Sequence, residues 1–425
     1  MSHDTTWRGT APRAEGALSA FARRRVSAAL RAIGEGELVI DDESGGESFA
    51  GAPGPRGVVQ VLDPRFWTAL ALRGALGGAE AYIEGWWRAD DLVSVIRVLA
   101  RNAAALGALD GGASWLLPWL RFAHRLRDNN RAGSRRNISA HYDLGNEFFE
   151  TFLDPTLTYS SAIFERADDT LERAQIAKYE RLCRKLGLRS EHHLLEIGTG
   201  WGGLALHAAS TRGCRVTTTT ISREQFAFAK ERIARAGLEQ RVSVLCEDYR
   251  DLRGSYDRLV SIEMIEAVGH RHLPRFFEVC EQRLAPSGVA ALQAILVPEC
   301  DWERSKRSVD FVKKYVFPGG QLVALGAISE ALAPTGMRLT HYEDITPHYA
   351  ETLRRWREGF LANRARASRL GYPESFQRTW EFYLAYCEGA FRERSNVTAQ
   401  LVFEKAATRR GALLGDFAPV TEEAA

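Results

Sequence analysis

Short apolar runs alternate with longer amphipathic segments from about residue 170 to residue 410. The segment "REQFAFAKERIARAGL" (223–238), for example, repeats apolar residues at helical spacing. The apolar runs have the length of buried strands, and they are "HLLEIG" (193–198), "CRVTTTTIS" (214–222), "VSVLCED" (242–248), "DRLVSIEM" (257–264) and "SGVAALQAIL" (287–296). Strands separated by helices predict a parallel sheet that is covered on both faces. Residues 141–412 are therefore predicted to form a doubly wound α/β domain with a Rossmann-like sheet.

The region before this domain has a different pattern. The stretch "GVVQVLDPRFWTALALRG" (57–74) predicts a strand, a turn and a helix, and "DDLVSVIRVLARN" (90–102) predicts an amphipathic helix. We therefore predict a smaller N-terminal α+β domain over residues 16–127. Polar sequence predicts a disordered tail at 1–15, a linker at 128–140 and a second tail at 413–425.

The composition is that of a soluble globular protein, with 425 residues of which 45% are hydrophobic and 26% are charged. The polar N-terminus lacks the apolar core of a signal peptide, and no apolar stretch approaches the ~20 residues that span a bilayer. The cysteines are scattered without a C-x-x-C pair, which predicts reduced thiols and no metal site. The sequence therefore predicts a cytoplasmic protein.

A glycine loop follows the first strand of the predicted sheet, in "LLEIGTGWGG" (194–203). Gly198, Gly200 and Gly203 fit the pattern G-x-G-x-x-G of dinucleotide-binding proteins. Such a site also needs an acid near the end of the second strand to hold the ribose hydroxyls. Here that strand ends in "TTTTIS" (217–222), without an acid. A nicotinamide-dependent dehydrogenase is therefore disfavoured.

The third strand supplies an acid instead. It ends in "LCEDY", which places Glu247 and Asp248 where a carboxylate can accept a hydrogen bond from an adenine amino group. Trp201, at the start of the helix after the glycine loop, is predicted to shield one side of a pocket. This combination favours S-adenosylmethionine over a nicotinamide dinucleotide.

Two acids follow the fourth strand, in "SIEMIEAVGH" (261–270). Glu263 and Glu266 are three residues apart, so they share a face if this segment is a helical turn. We interpret Glu263 as a solvated residue at a helix start. Glu266 lies where substrate and cofactor meet in this fold, and we predict that it is functional.

The chain resembles the cyclopropane-fatty-acyl-phospholipid synthases and the related mycolic acid methyltransferases. The resemblance runs through most of the chain in family order, and "HYDLGNEFFETFLDPTLTYSSAIFE" (141–165) is its most specific motif. The other matching stretches are "GGAEAYIEGWWRADDL", "LLEIGTGWGGLA", "TTISREQ", "EDYRD", "IEMIEAVGH", "DFVKKYVFPGG", "HYAETLRRWREGF" and "YLAYCEGAFRER".

The resemblance implies a reaction on lipids. In this family S-adenosylmethionine gives a methyl group to the double bond of an acyl chain in a phospholipid. A carbocation forms, and loss of a proton from the new methyl closes a cyclopropane ring. The family also binds a bicarbonate ion, which acts as the base. We therefore expect a methyltransferase that forms a cyclopropane fatty acid, with S-adenosylmethionine as cofactor and bicarbonate as a candidate second ligand.

The resemblance also assigns residues by position. The bicarbonate and substrate positions match Glu266, Tyr349 and Ile295. Cys387 matches a cysteine of the family's active site, although a structural role is the favoured interpretation because the cation mechanism needs no covalent thiol. The cofactor positions match Tyr159, Ser160, Gly198, Gly200, Thr220, Ile221, Gln225, Asp248 and Tyr249, and Trp201 is added from the loop analysis.

Two departures from the family concern the bicarbonate site. The family's "TYSCAYF" is "TYSSAIF" here, with Ser161 in place of the cysteine, and its "LHTI" is "LQAI", with Gln293 in place of the histidine. A glutamine amide donates a hydrogen bond but carries no charge. Either Gln293 replaces the histidine with the reaction unchanged, or the cation ends in a methyl- or methylene-branched chain. A non-catalytic lipid-binding relative is the remaining alternative.

A basic stretch of the sequence indicates a segment that contacts lipid. Residues 97–136 hold eight arginines against two acids, and aromatic residues lie beside Arg121, Arg125 and Arg127. This pattern predicts contact with an anionic membrane, and a core-packing helix with a basic face is the alternative. We expect unsaturated phospholipids at the inner face of the membrane as partners, and leave a homodimer open. A nucleic-acid methyltransferase is disfavoured because "SIEM" replaces the Asn/Asp-Pro-Pro-aromatic segment.

Overall fold

The computed structural model describes residues 16–43, 45–110 and 144–410, and of residues 108–110 only the backbone. Within these ranges the chain forms two compact units. The first comprises the described residues up to 110 together with 307–318 and 350–396. The second comprises 144–306, 319–349 and 397–410. The predicted tails and the predicted linker lie outside the described residues.

The first unit combines a small sheet with helices. Its sheet has the strand order β2-β1-β3-β4, in which β1 pairs parallel with β3 and antiparallel with β2. The strands are β1 (Glu35–Asp42), β2 (Gly45–Ala50), β3 (Ala52–Val61) and β4 (Trp87–Ala89). The N-terminal helices are α1 (Ala17–Leu30), α2 (Arg65–Ile83), α3 (Leu92–Arg101) and α4 (Ala103–Asp110). The first unit thus mixes helices with a small sheet, while the predicted domain bounds, 16–127 and 141–412, stay a prediction.

Later segments of the chain complete this first unit. Helix α14 (Glu374–Arg392) packs Ala385 against Val93 and Ile96 of α3. Arg97 and Arg101 of α3 both pair with Glu393 at the end of α14. Helix α13 (Arg364–Arg369) precedes α14, and a single π-helical turn covers Val312–Val316. Hence the N-terminal segment buries its apolar face against chain that lies almost 300 residues later.

The second unit contains a seven-stranded sheet with the order β10-β11-β9-β8-β5-β6-β7. Strands β9, β8, β5, β6 and β7 are parallel, whereas β11 and β10 add antiparallel pairs at one edge. The strands are β5 (His193–Ile197), β6 (Arg215–Thr219), β7 (Val242–Leu245), β8 (Tyr256–Ile262), β9 (Leu284–Leu296), β10 (Met337–Asp344) and β11 (Val397–Lys405). All five predicted strands are present, and the doubly wound fold is confirmed.

Helices cover both faces of this sheet, so that apolar clusters lie on either side of it. They are α5 (Asn146–Phe149), α6 (Leu171–Leu186), α7 (Gly203–Arg212), α8 (Arg223–Arg235), α9 (Leu273–Arg283), α10 (Trp302–Arg307), α11 (Leu325–Leu332) and the start of α12 (Thr346–Ala362). The strand order reverses between β5 and β8, and in open α/β sheets ligands bind at the carboxyl ends of the strands beside such a reversal. Among the described residues, no helix has the length and apolar character needed to cross a bilayer.

Candidate active site

The glycine loop joins β5 to α7 at this edge of the sheet. Gly198 and Gly200 have φ values of 103° and 52°, which residues other than glycine rarely adopt. The amides of Gly198 and Thr199 donate to the carbonyl of Thr219 at the end of β6. At Gly203 a side chain is excluded for a different reason, because an added Cβ would lie 2.3 Å from the Tyr179 hydroxyl. The loop therefore presents bare backbone, as the sequence predicted.

Aromatic side chains form a wall beside the loop. Trp201 is buried, and its indole Nε1 donates to Oδ1 of Asn146 at 2.7 Å. Its ring packs on Phe149 with a centroid separation of 5.0 Å, and Tyr159 packs on the same Phe149 at 5.4 Å. Two residues predicted to bind the cofactor, Trp201 and Tyr159, thus share one apolar cluster. Such a wall excludes water from a charged intermediate.

The ends of β6 and β7 carry the other predicted cofactor residues. The Thr220 hydroxyl donates to Oε1 of Gln225 at 2.9 Å, and both residues are buried. Ile221 follows Thr220 in the chain. Asp248 is buried as well, but Arg250 holds both of its carboxylate oxygens at 2.8 Å. Hence the acid predicted for the adenine amino group has its charge already paired.

Tyr249 follows Asp248 in a short 3₁₀ turn. Its ring packs edge-on against Phe276 with a centroid separation of 5.5 Å. Burial raises the pKa of the Tyr249 hydroxyl to about 12, so this group stays protonated at physiological pH. The side chain therefore contributes an apolar ring surface at the end predicted for adenine.

Ser160 lies next to a buried lysine that the sequence analysis missed. Lys178 of α6 is inaccessible to solvent, and its Nζ donates to Oγ of Ser160 at 2.7 Å. Burial lowers the pKa of Lys178 to about 7, in spite of nearby Glu263. A signal was present, because Lys178 lies four residues after Ala174 and four before Leu182, on the apolar face of its helix.

Glu266 and Ile295 are brought together, as the resemblance implies. The Ile295 amide donates to Oε1 of Glu266 at 2.6 Å. The other oxygen, Oε2, is buried and has no hydrogen-bond partner among the described residues. Burial and the neighbouring carboxylate of Glu263 raise the pKa of Glu266 to about 8. Glu266 thus presents one unsatisfied oxygen, of the kind that a cationic or hydrogen-bonding ligand would complete.

Glu263 is the centre of the site, and its interpretation as a solvated residue is wrong. Its Oε1 accepts from the Ser161 amide and from Nε2 of Gln293, each at 2.8 Å, and its Oε2 accepts from the Tyr349 hydroxyl at 2.9 Å. Burial nevertheless raises the pKa of Glu263. Its φ is 47°, so it does not continue the 3₁₀ turn Ile265–Ala267, and the premise of one helical face for both acids was also wrong.

Gln293 is held in one orientation by a chain of polar groups. Its Nε2 donates to Glu263 and to the carbonyl of Ser161, and its Oε1 accepts from Nε2 of Gln400 at 3.0 Å. Gln400 lies opposite it on the paired strand β11 and accepts from Lys185. The Ser161 hydroxyl donates elsewhere, to the carbonyl of Ala162. Ser161 thus contributes its backbone to the site, and Gln293 contributes its amide.

The acid segment lies against the glycine loop. A Cβ built on Gly198 would meet the side chain of Met264 at 3.4 Å, and Met264 separates Glu263 from Ile265 in the chain. The loop at the end of β5 and the acids at the end of β8 therefore border one region. Cys387 belongs to the first unit, where burial raises its pKa above the usual range, the reverse of what activates a thiol.

The described residues fit one of the two predicted ligands. The bare loop, the aromatic wall and the unsatisfied Glu266 oxygen suit a cationic sulfonium cofactor. A bicarbonate ion fits less well, because Gln293, Ser161 and Tyr349 already donate to Glu263. Among the residues that the structure covers, no group of three or more His, Cys, Asp or Glu is arranged to hold a metal ion.

Comparison with known proteins places the chain among lipid-modifying enzymes. The family model "Mycolic acid cyclopropane synthetase" matches residues 129–401. The chain is 42% identical over 341 residues to the tuberculostearic acid methyltransferase UfaA1 of Mycobacterium tuberculosis, covering 76% of this chain and 78% of that one. It is 35% identical to the cyclopropane-fatty-acyl-phospholipid synthase of Escherichia coli, covering 82% and 87%.

A solved structure gives the same picture. The mycolic acid cyclopropane synthase CmaA1, in complex with S-adenosylhomocysteine (SAH) and CTAB, aligns with a TM-score of 0.60 and 33% identity. The alignment covers 64% of this chain and 98% of that structure. The bound SAH is the demethylated form of the cofactor that the glycine loop predicts.

Proposed function

Because this chain belongs to the mycolic acid cyclopropane synthetase family of S-adenosylmethionine-dependent methyltransferases that act on lipid acyl chains, we propose that its acceptor is the double bond of an unsaturated phospholipid acyl chain. The observation that carries this proposal is the paired acid segment beside the glycine loop. A methyl donor bound at the loop would lie near an unsatisfied carboxylate oxygen of Glu266 and near a second carboxylate, that of Glu263.

The alkene of an unsaturated acyl chain is a poor nucleophile, and the residues of the site supply conditions under which it can react. When bound, the cofactor supplies an electrophilic methyl group on a sulfonium. An alkene attacks it only if the two are aligned and water is kept out. The cluster of Trp201, Phe149 and Tyr159 excludes water, and the Glu266 carboxylate offers negative charge where positive charge develops.

The product we propose is a methylene-branched acyl chain. Ring closure and branching both remove a proton from the new methyl group, but branching requires a hydride shift first. The Glu263 carboxylate, which three donors anchor, would follow the methyl less freely as a base than a mobile anion does, and this gives the shift time to occur. The 42% identity to a tuberculostearic acid methyltransferase supports the same outcome. Reduction to a saturated methyl branch would need a separate hydride donor.

A cyclopropane product is the second candidate. The hydrogen bond from the Ile295 amide to Glu266 favours it, because both residues stand at positions that match bicarbonate-site residues of the cyclopropane synthases. The similarity to the cyclopropane-fatty-acyl-phospholipid synthase of Escherichia coli covers more of this chain than the similarity to UfaA1 does.

Product analysis tests the proposal directly. The purified chain is incubated with S-adenosylmethionine and vesicles of an unsaturated phospholipid, and S-adenosylhomocysteine release is measured. The lipids are then examined by mass spectrometry and proton NMR. We expect a mass gain of one CH₂ and vinylidene proton signals. Ring protons upfield of the methylene envelope would instead establish the cyclopropane, and cofactor binding without turnover would leave a lipid-binding relative.

A further inference from the structure

Three donors of the site converge on one carboxylate of the chain itself. The Ser161 amide, Nε2 of Gln293 and the Tyr349 hydroxyl lie 2.8, 2.8 and 2.9 Å from the oxygens of Glu263. Ser161, Gln293 and Tyr349 stand at the positions that the resemblance assigns to bicarbonate binding. Where the family's donors hold a separate anion, the donors of this chain hold Glu263.

The backbone at Glu263 is shaped to put the carboxylate there. Its φ of 47° lies in the left-handed region, which is strained for a residue other than glycine. Its amide also donates to the carbonyl of Gln293, at 2.7 Å. Four hydrogen bonds hold the residue at both ends, and conformations of this kind cluster at functional sites.

The surrounding charges leave little place for a further anion. Glu266 is three residues away; burial and the carboxylate of Glu263 raise the pKa of Glu266, and burial raises the pKa of Glu263. Lys178 of α6 is the cation that acts on Glu263, and burial keeps it from solvent. The carboxylates of Asp154 and Glu196 also act on Lys178, so its charge is already shared among acids of the chain. A bicarbonate ion beside Glu263 and Glu266 would add a further negative charge to a buried site, at an electrostatic cost.

We propose that the Glu263 carboxylate is the catalytic base and that it takes the place of bicarbonate in this chain. This inference rests on the proposed function. After methyl transfer, Glu263 accepts a proton from the new methyl group. The electron pair of that C–H bond becomes the second bond of the methylene branch, or the ring bond of a cyclopropane, and neutralises the cation. Glu263 returns its proton to solvent before the next turnover. Either product is compatible with this step.

The first test needs no variant. The full-length wild-type chain is assayed by S-adenosylhomocysteine release, with vesicles of 1-palmitoyl-2-oleoyl-phosphatidylglycerol in buffer freed of carbon dioxide. Bicarbonate is then added at millimolar concentration. We expect the rate to stay within twofold. A rate that rises tenfold with bicarbonate would overturn the proposal, because a built-in base has no need of the ion.

Variants then locate the base. Glu263→Gln keeps the shape of the side chain but removes its basicity, and we expect the rate to fall by about 10²-fold or more. S-adenosylhomocysteine affinity should stay within threefold of wild type. Glu263→Ala opens a space, and added bicarbonate or formate should restore its rate at least tenfold. Glu239→Gln, the same change at an exposed position, serves as the matched control and should behave as wild type.

The outcomes separate this proposal from the proposed function. Retention of more than half of the wild-type rate by Glu263→Gln would refute Glu263 as the base and leave methyl transfer intact. A wild-type chain that binds S-adenosylhomocysteine but never turns over would refute the methyl transfer itself. Should the Glu263 variants fail to fold, which their melting curves would show, the bicarbonate response of the wild-type chain still decides.

Discussion

At the scale of single residues, the two acids after β8 have different surroundings although only two residues separate them. Glu263 has three donors on its carboxylate, whereas Glu266 has one donor and a buried oxygen without a partner among the described residues. Hydrogen bonds to a carboxylate favour its charged form, and burial without them favours the neutral form. Glu266 is therefore the acid whose charge responds most to a cationic ligand.

This difference predicts how cofactor binding depends on pH. Because the pKa of Glu266 is raised to about 8, the residue is mostly neutral at pH 6.5 and mostly charged at pH 9. A sulfonium prefers the charged form, so S-adenosylmethionine affinity should rise by roughly tenfold over this interval. Calorimetry on the chain with S-adenosylmethionine checks this. S-adenosylhomocysteine, which lacks the positive charge, is the matched ligand and should change much less.

Substitution assigns the effect to one residue. In Glu266→Gln the affinity for S-adenosylmethionine should no longer rise with pH, because the amide does not titrate. An unchanged pH dependence in Glu266→Gln would show that another group, such as Lys178, responds to pH instead. The exposed Glu239→Gln should keep the wild-type profile.

At the scale of elements, the loop between β5 and α7 depends on close packing as much as on backbone freedom. Tyr179 of α6 is buried, and its hydroxyl is hydrogen-bonded to the Thr158 hydroxyl and fills the space above Gly203. The third glycine of the G-x-G-x-x-G pattern is thus required by helix packing, whereas Gly198 and Gly200 are required by their positive φ.

This packing predicts that Gly203→Ala destabilises the second unit. The added methyl would lie 2.3 Å from the Tyr179 hydroxyl, so the ring must shift and its hydrogen bond to Thr158 must break. Overpacking of this kind costs about 1–3 kcal/mol, and thermal denaturation should show a melting temperature several degrees lower.

A matched variant isolates the clash. Gly107 lies within helix α4, and a Cβ there would meet nothing within 4 Å. Gly107→Ala should therefore leave the melting temperature unchanged or raise it slightly, since alanine is the better helix former. Equal melting temperatures for Gly203→Ala and wild type would contradict the packing argument.

At the scale of the whole molecule, the sequence predicts contact with an anionic membrane through Arg121, Arg125 and Arg127. These residues lie outside the described residues, so the contact stays a prediction, as do the cytoplasmic location and the homodimer. Replacing all three by Gln should weaken binding to phosphatidylglycerol vesicles by about 10²-fold at low salt, at about 1 kcal/mol for each charge. Sedimentation with vesicles measures this.

Salt and lipid charge provide the controls for this prediction. Binding of the wild-type chain should weaken as ionic strength rises, because the attraction is screened over about 10 Å at 0.1 M salt. Replacing Arg24, Arg25 and Arg31 of the first unit by Gln changes the charge equally and should leave binding near wild type. Equal binding to neutral and anionic vesicles would exclude the electrostatic contribution.

The sequence by itself determined the five parallel strands, the glycine loop and the missing acid at the end of β6, because strand periodicity and turn chemistry are local properties. It also placed Glu266 and Ile295 correctly as neighbours, through the resemblance. It did not predict that Glu263 is the residue on which the donors meet. No local pattern indicated the left-handed backbone at that position.

Only the tertiary structure decided which side chains of the site contact one another. Glu263 is 102 residues from Ser161, 30 from Gln293 and 86 from Tyr349 in sequence. The pairing of β8 with β9 brings Gln293 beside Glu263, and the packing of other segments brings Ser161 and Tyr349 there. The first unit likewise takes in residues 350–396, because α14, far along the chain, packs on apolar residues of α3. Contacts between distant segments depend on the order of strands and the packing of helices, which hydrophobic spacing along the chain does not encode.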